Sequence, residues 1–219
     1  MGKPALVALA IVLPLGGCGG DAKVVEGGDP PTRSGKAPTE KAPKVDDVLP
    51  PGGEAPKFSG TGLREAARVA GCELESFRAK SREHVSDPDA KIEYASAPPT
   101  SGKHSEVAAE DAAYLTAPDE KSLVHSLEHG RVVVWFKADL PREARASLRA
   151  FYEQDSLQTL LTPDETGSDL EVAATAWNRD PSPNGTGRLL GCDGFTPTVV
   201  DALQAFRKRH RGRGPEAVP

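Results

Sequence analysis

The chain has 219 residues, with 27 Lys and Arg against 32 Asp and Glu and a formal net charge of −5. That length holds one ordinary domain, or a small domain with extensions, and the acidic balance offers no general attraction for nucleic acid. The 20 prolines and 22 glycines are many for a compact domain. Much of the excess lies before residue 62, so the chain divides into an unpacked leader and a globular remainder.

In chain order, the first residues carry an export signal. A short charged start (Met1, Lys3) precedes the apolar run ALVALAIVLPL, Ala5 to Leu15, then small residues and a cysteine. The run is shorter than the roughly 20 apolar residues that span a bilayer, and Pro14 interrupts it. The segment LGGC, Leu15 to Cys18, resembles the lipobox of bacterial lipoproteins. That resemblance implies a signal peptide over residues 1–17 and an acylated (palmitate-type) N-terminus at Cys18. The expected location is the extracytoplasmic face of the cell membrane, with the membrane as partner; a conventionally cleaved, secreted protein is the alternative. Residues 18–62 are rich in Pro, Gly, Lys and Asp and read as a disordered tether, because they carry too little apolar surface to offset the entropy of ordering.

Residues 63–213 form the expected globular domain, followed by a tail over 214–219. RVVVWFK, Arg131 to Lys137, is a continuous β-branched and aromatic run of the kind found in strands covered on both faces. A helix follows from Pro141, with Leu148, Phe151 and Tyr152 on one face. LEVAATAW, Leu170 to Trp177, reads as another strand, and Asn184-Gly185 as a tight turn. The last helix starts at Thr196 with Pro197 in its first turn, buries Val199, Val200, Leu203 and Phe206, and ends in the basic run Arg207 to Arg213, which reads as a solvated helix terminus. The expected class is α+β or α/β: a single small domain with a central sheet flanked by helices. The element order admits a thioredoxin-like arrangement, without any Cys-x-x-Cys to support redox chemistry. With Cys18 committed to lipid, Cys72 and Cys192 remain as an even pair in an oxidising compartment and are expected to form a disulfide.

Four of the five histidines are His84, His104, His125 and His129. DEKSLVHSLEH, Asp119 to His129, reads as a short helix stopped by Gly130. Residues four apart share a helix face, so His125 and His129 present their rings side by side. Two such imidazoles hold Zn or Cu when a third ligand joins them. His104, in the loop PPTSGKH, is the first candidate and His84 the second, with Glu128 orienting a ring from behind the ligands. The pattern His-x-x-Glu-His also matches the inverted zinc-protease motif, with Glu128 as base. Against it, the helix stops at once and no further carboxylate-bearing helix stands out. A histidine at a helix C-terminus is also favourable without any ligand.

Taken in order, HV, YASAPPTSGKH, VHSLEHGRVVVWF, ATAWNR and a final helix running into GPE (Gly214 to Glu216) resemble a bacterial family known as domain of unknown function 3105. The resemblance spans roughly Cys72 to Glu216 and departs at AAYL, where only Tyr114 stands for the family's Gly-aromatic pair. It implies an exported or membrane-tethered protein and places the histidines and both cysteines in one motif set, with no established activity. The reading favoured is an envelope lipoprotein that binds Cu or Zn through His104, His125 and His129 with His84 nearby. A structural or interaction module is the alternative, and a metal-dependent hydrolase comes third.

Overall fold

The computed structural model describes residues 24–25, 43–54, 57 and 60–216. Cys18 and the export signal lie outside the described residues, and no described helix is long and apolar enough to cross a membrane. The strands are β1 (Val24–Val25), β2 (Cys72–Arg78), β3 (His84–Val85), β4 (His104–Ser105), β5 (Ala113–Tyr114), β6 (Val132–Phe136), β7 (Thr159–Pro163), β8 (Val172–Asn178) and β9 (Thr186–Cys192). The helices are α1 (Val45–Val48), α2 (Leu63–Ala70), α3 (Glu120–Glu128), α4 (Arg142–Gln154) and α5 (Pro197–His210).

One seven-stranded mixed sheet runs β1-β5-β7-β6-β8-β9-β2, and a separate pair joins β3 to β4. Within it β6 and β7 are parallel, joined through α4, while β8 and β9 are antiparallel to their neighbours. The four central strands thus run β7-β6-β8-β9.

Every residue of β6 is buried, and alternation along the strand divides the core. Val132, Val134 and Phe136 pack with Leu148, Phe151, Leu203 and Phe206 of α4 and α5. Val133 and Trp135 point the other way, to Leu123, Val124 and Leu127 of α3 and to Trp177. Such a strand has no polar face because helices cover both sides of the sheet. The polar tips of the tryptophans are satisfied: Trp135 Nε1 donates to Thr175 Oγ1 at 2.9 Å, and Trp177 Nε1 to the Asn184 carbonyl at 2.7 Å.

Cys72 and Cys192 face each other across β2 and β9 and form the disulfide, their Cα atoms 4.3 Å apart. Thr196 is the N-cap of α5, as expected, whereas Pro141 sits one position earlier than expected, at the N-cap of α4. The end of α5 is less solvated than its charge suggests. Arg207 is 5 % exposed, with its guanidinium 4.0 Å from the Phe151 ring centre. His210 is half-buried, with Nδ1 2.8 Å from Asn178 Oδ1.

Ordered structure also reaches ahead of Leu63. Within the stretch read as tether, Leu49 is fully buried against the core, and its carbonyl accepts from Arg149 of α4 at 2.8 Å. Arg145 donates to the Val48 carbonyl at 2.9 Å. Three apolar residues, Val45, Val48 and Leu49, suffice for docking where two arginines supply the orphaned carbonyls at the end of α1.

Candidate metal centre

The site lies on the α3 side of the sheet, where four separate pieces of chain meet. The first is α3 itself. Asp119 caps it by accepting from Lys121 N, and Gly130 ends it in the left-handed region at φ 82°, where glycine carries no steric penalty. The four-residue spacing then brings His125 Nε2 to 2.9 Å from His129 Nε2.

The second and third pieces are β3 and β4, which pair so that His84 stands opposite His104. The loop before His104 is fixed by contacts on both flanks. Tyr94 Oη donates to the Lys103 carbonyl at 3.0 Å, and Thr100 lies so close to Gly187 of β9 that a Cβ there would fall 2.2 Å from its hydroxyl. Ser126 Oγ donates to the Ala109 carbonyl at 2.8 Å, tying the chain after β4 to α3.

The fourth piece is the C-terminal segment. Gly212 N donates to the Gly130 carbonyl at 2.8 Å and Glu216 N to the Glu128 carbonyl at 3.1 Å. A Cβ on Gly214 would lie 2.1 Å from the Glu128 carbonyl oxygen, so only glycine permits this approach. Glu216, assigned by sequence to a tail, thereby reaches His129, with Oε2 3.8 Å from Nε2.

The result is a nest of rings. Centroids are 4.6 Å apart for His84 and His104, 4.8 Å for His84 and His125, 4.9 Å for His104 and His125, and 4.3 Å for His125 and His129. The Trp177 ring backs His104 edge-on at 5.8 Å. His84, His104, His125 and Glu128 each offer a ligand atom, all within 4.8 Å of one another. His129 groups instead with His125 and Glu216. Glu128, which the sequence set behind the ligands, thus stands among them.

Proton placement follows from the partners. His104 Nδ1 is 2.8 Å from the Gly102 carbonyl, which can only accept, so this nitrogen carries hydrogen. His104 Nε2 lies 3.0 Å from Glu128 Oε2. Both atoms are buried, and despite their distance they do not align as a hydrogen bond. A buried ring nitrogen and a carboxylate oxygen this close share either a proton or a metal ion. The other oxygen of Glu128 accepts from Arg82 Nε at 2.6 Å. Burial alone would raise the Glu128 carboxyl, but His104 and the well-aligned Arg82 guanidinium outweigh it and hold it at about 2. Burial, with His129, His104 and His84 around it, depresses His125 to about 4, and burial also lowers His129. His125 and His129 are therefore neutral at neutral pH beside an ionised Glu128, and imidazole with carboxylate is a donor set suited to Zn or Cu.

Two consequences are measurable in the ion-free protein. Glu128 is 1 % exposed, and removal of its guanidinium partner leaves that charge uncompensated. Since the Arg82 side chain is itself 35 % exposed, Arg82→Ala is expected to lower stability by about 2 kcal/mol, below the figure for a fully buried pair. Urea unfolding in chelator measures this. Second, burial and the nearby Arg188, Arg209 and Arg213 depress His210 to about 4, like His125. Between the ordinary value of 6.5 and about 4, the unfolded chain takes up protons at these histidines and the folded chain does not. Stability is therefore whole above 6.5 and falls as the pH drops, by up to about 1.4 kcal/mol per unit for each group. A urea midpoint that fails to drop between pH 7 and pH 5 would contradict those burial effects.

Arg82 and Glu216 were not found from the sequence. Arg82 follows a strand of unremarkable composition, and the one signal for Glu216 was its place in the GPE motif. Comparison with curated proteins and with solved structures gave no match. The model of the family described as "protein of unknown function (DUF3105)" matches residues 84–218. All the clustered histidines, Glu128, Glu216 and Cys192 fall inside that range; Cys72 and Arg82 precede it. The chain belongs to the DUF3105 family.

Proposed function

We propose that this is a lipid-anchored protein of the bacterial cell envelope whose domain binds a transition-metal ion, Cu or Zn, through His84, His104, His125 and Glu128. The observation that carries the reading is the pair His104 Nε2 and Glu128 Oε2, buried and 3.0 Å apart with no hydrogen bond aligned between them. The His125 imidazole, of depressed basicity, and the ionised Glu128 carboxylate border the same point. The apolar run before Cys18 and the Cys72–Cys192 disulfide support an extracytoplasmic location.

The test is metal analysis of the full-length protein purified without a histidine tag. About one Cu or Zn per chain, lost in His125→Ala, is expected. A protein that carries neither, and whose melting temperature does not respond to either added ion, contradicts the reading. The anchor is tested separately: Cys18→Ala is expected to move the protein from the membrane fraction to the soluble fraction, and unchanged partition would remove the lipid from the account.

A second reading has its own observation. Arg82, Glu128 and His104 form a chain of contacts at 2.6 and 3.0 Å, which a protonated His104 would close without a metal, leaving a structural or interaction module. Hydrolysis with Glu128 as base is less well supported, since a buried carboxylate held at about 2 is poorly matched to proton abstraction near neutral pH.

A further inference from the structure

The described residues hold two groups of metal-ligating side chains, and His125 belongs to both. Four ligands complete a tetrahedral ion, and His84, His104, His125 and Glu128 already make four. His129 and Glu216 are left over, yet with His125 their ligand atoms also lie within 4.8 Å of one another.

The two nitrogens of the His125 ring face different surroundings. Its Nε2 faces His129 Nε2 at 2.9 Å, while its Nδ1 is buried without an aligned hydrogen bond. The environments of the two groups also differ. In the first group His104 and Glu128 are 0 % and 1 % exposed while His84 is exposed; in the second the His129 and Glu216 side chains are 16 % and 45 % exposed. Glu216 is held there by construction, since its backbone N–H donates to the Glu128 carbonyl and Gly214 fits only without a Cβ. Each group contributes its own carboxylate, which offsets the repulsion between neighbouring dications.

We propose that the cluster is a two-ion site: a four-ligand position formed by His84, His104 and Glu128 with His125, and a second position formed by His129 and Glu216, with His125 shared between them. This rests on the metal-binding function proposed above. As the second ion binds, the remaining N–H proton of His125 is released to solvent, leaving an imidazolate with one ion on each nitrogen. Three protein ligands and partial exposure leave the second position open to an exchangeable ligand from solvent, the arrangement of a catalytic or transfer site rather than a structural one.

Native mass spectrometry of the full-length, tag-free protein titrated with Zn²⁺ tests this by counting. Two ions per wild-type chain are expected, and one in His129→Ala/Glu216→Gln. Spin counting with Cu²⁺ gives an independent readout, because two Cu²⁺ ions on one ring couple magnetically, so the second equivalent should reduce the signal per ion. A single ion per wild-type chain overturns the two-ion site; one that persists in the double variant leaves the proposed function in place, and one that is lost there overturns that as well. Two ions whose number is unchanged in the double variant, or whose Cu²⁺ signals add as isolated spins, also overturn it. No ion at all overturns both.

Discussion

Cys72→Ser/Cys192→Ser is expected to lower the stability of the domain by about 4–5 kcal/mol. The two cysteines are 120 residues apart in sequence, and closing a loop of that length restrains the unfolded chain by about that amount in the chain-entropy model. The loss should appear first at one edge. Strand β2 pairs with β9 alone within the sheet, and its burial pattern leaves most of its side chains exposed. Little except its backbone ladder, the disulfide and α2, which packs on the core through Ala66 and Ala67, keeps it in place. Urea unfolding gives the total, and hydrogen exchange gives its distribution, with protection over residues 63–78 falling before that of β6 and β8. An unchanged midpoint, or uniform loss across the sheet, would contradict this view of the edge.

Saturating Zn²⁺ is expected to raise the melting temperature of the wild-type protein by about 10 °C and that of His104→Ala or His125→Ala by clearly less. Free ion at a thousand times its dissociation constant stabilises the folded state by about 4 kcal/mol, and each kcal/mol is about 2–4 °C for a domain of this size. Loss of one ligand of four should weaken binding by more than the 10–100-fold that attends loss of an outer partner. His104→Ala separates the metal account from the structural one. Without a metal it merely removes one contact of Glu128, which keeps Arg82 at 2.6 Å; with a metal it removes a ligand. Differential scanning fluorimetry with and without ion distinguishes the two, since equal shifts in wild type and variant would exclude His104 from the ligands.

Much of the fold could be read where local chemistry and burial agree. Val132 to Phe136 announce a doubly covered strand because no polar residue interrupts them, and Pro197 with Thr196 marks the start of α5. Strands β2, β7 and β9 could not be read in the same way. CELESFR mixes charge with apolar residues because β2 is an edge strand, and such edges carry charged side chains that blunt the periodic signal. TLLTP is short and ends in proline. Strand β9 includes Gly187 and Gly191, which local propensity disfavours; one lies against Thr100 and the other against Leu170, contacts made across long sequence separations.

The site divides along the same line. The spacing of His125 and His129 and the Gly130 stop are local, so the helix and its two rings were legible. The pairing of His84 with His104 depends on two-residue strands too short to announce themselves. Arg82 and Glu216 enter only through tertiary contacts, one with a buried carboxylate and the other through the backbone of the C-terminal segment. His210 shows the opposite error: the charge around it suggests a solvated tail, but the turn it occupies packs against Asn178 and Phe206.

A crystal of the zinc-loaded protein measured on both sides of the zinc absorption edge tests the central claim most directly. The account predicts an anomalous difference peak bounded by the ring nitrogens of His84, His104 and His125 and by the Glu128 carboxylate. A zinc peak elsewhere, or none at this point with His104 Nε2 hydrogen-bonded to Glu128, would contradict it.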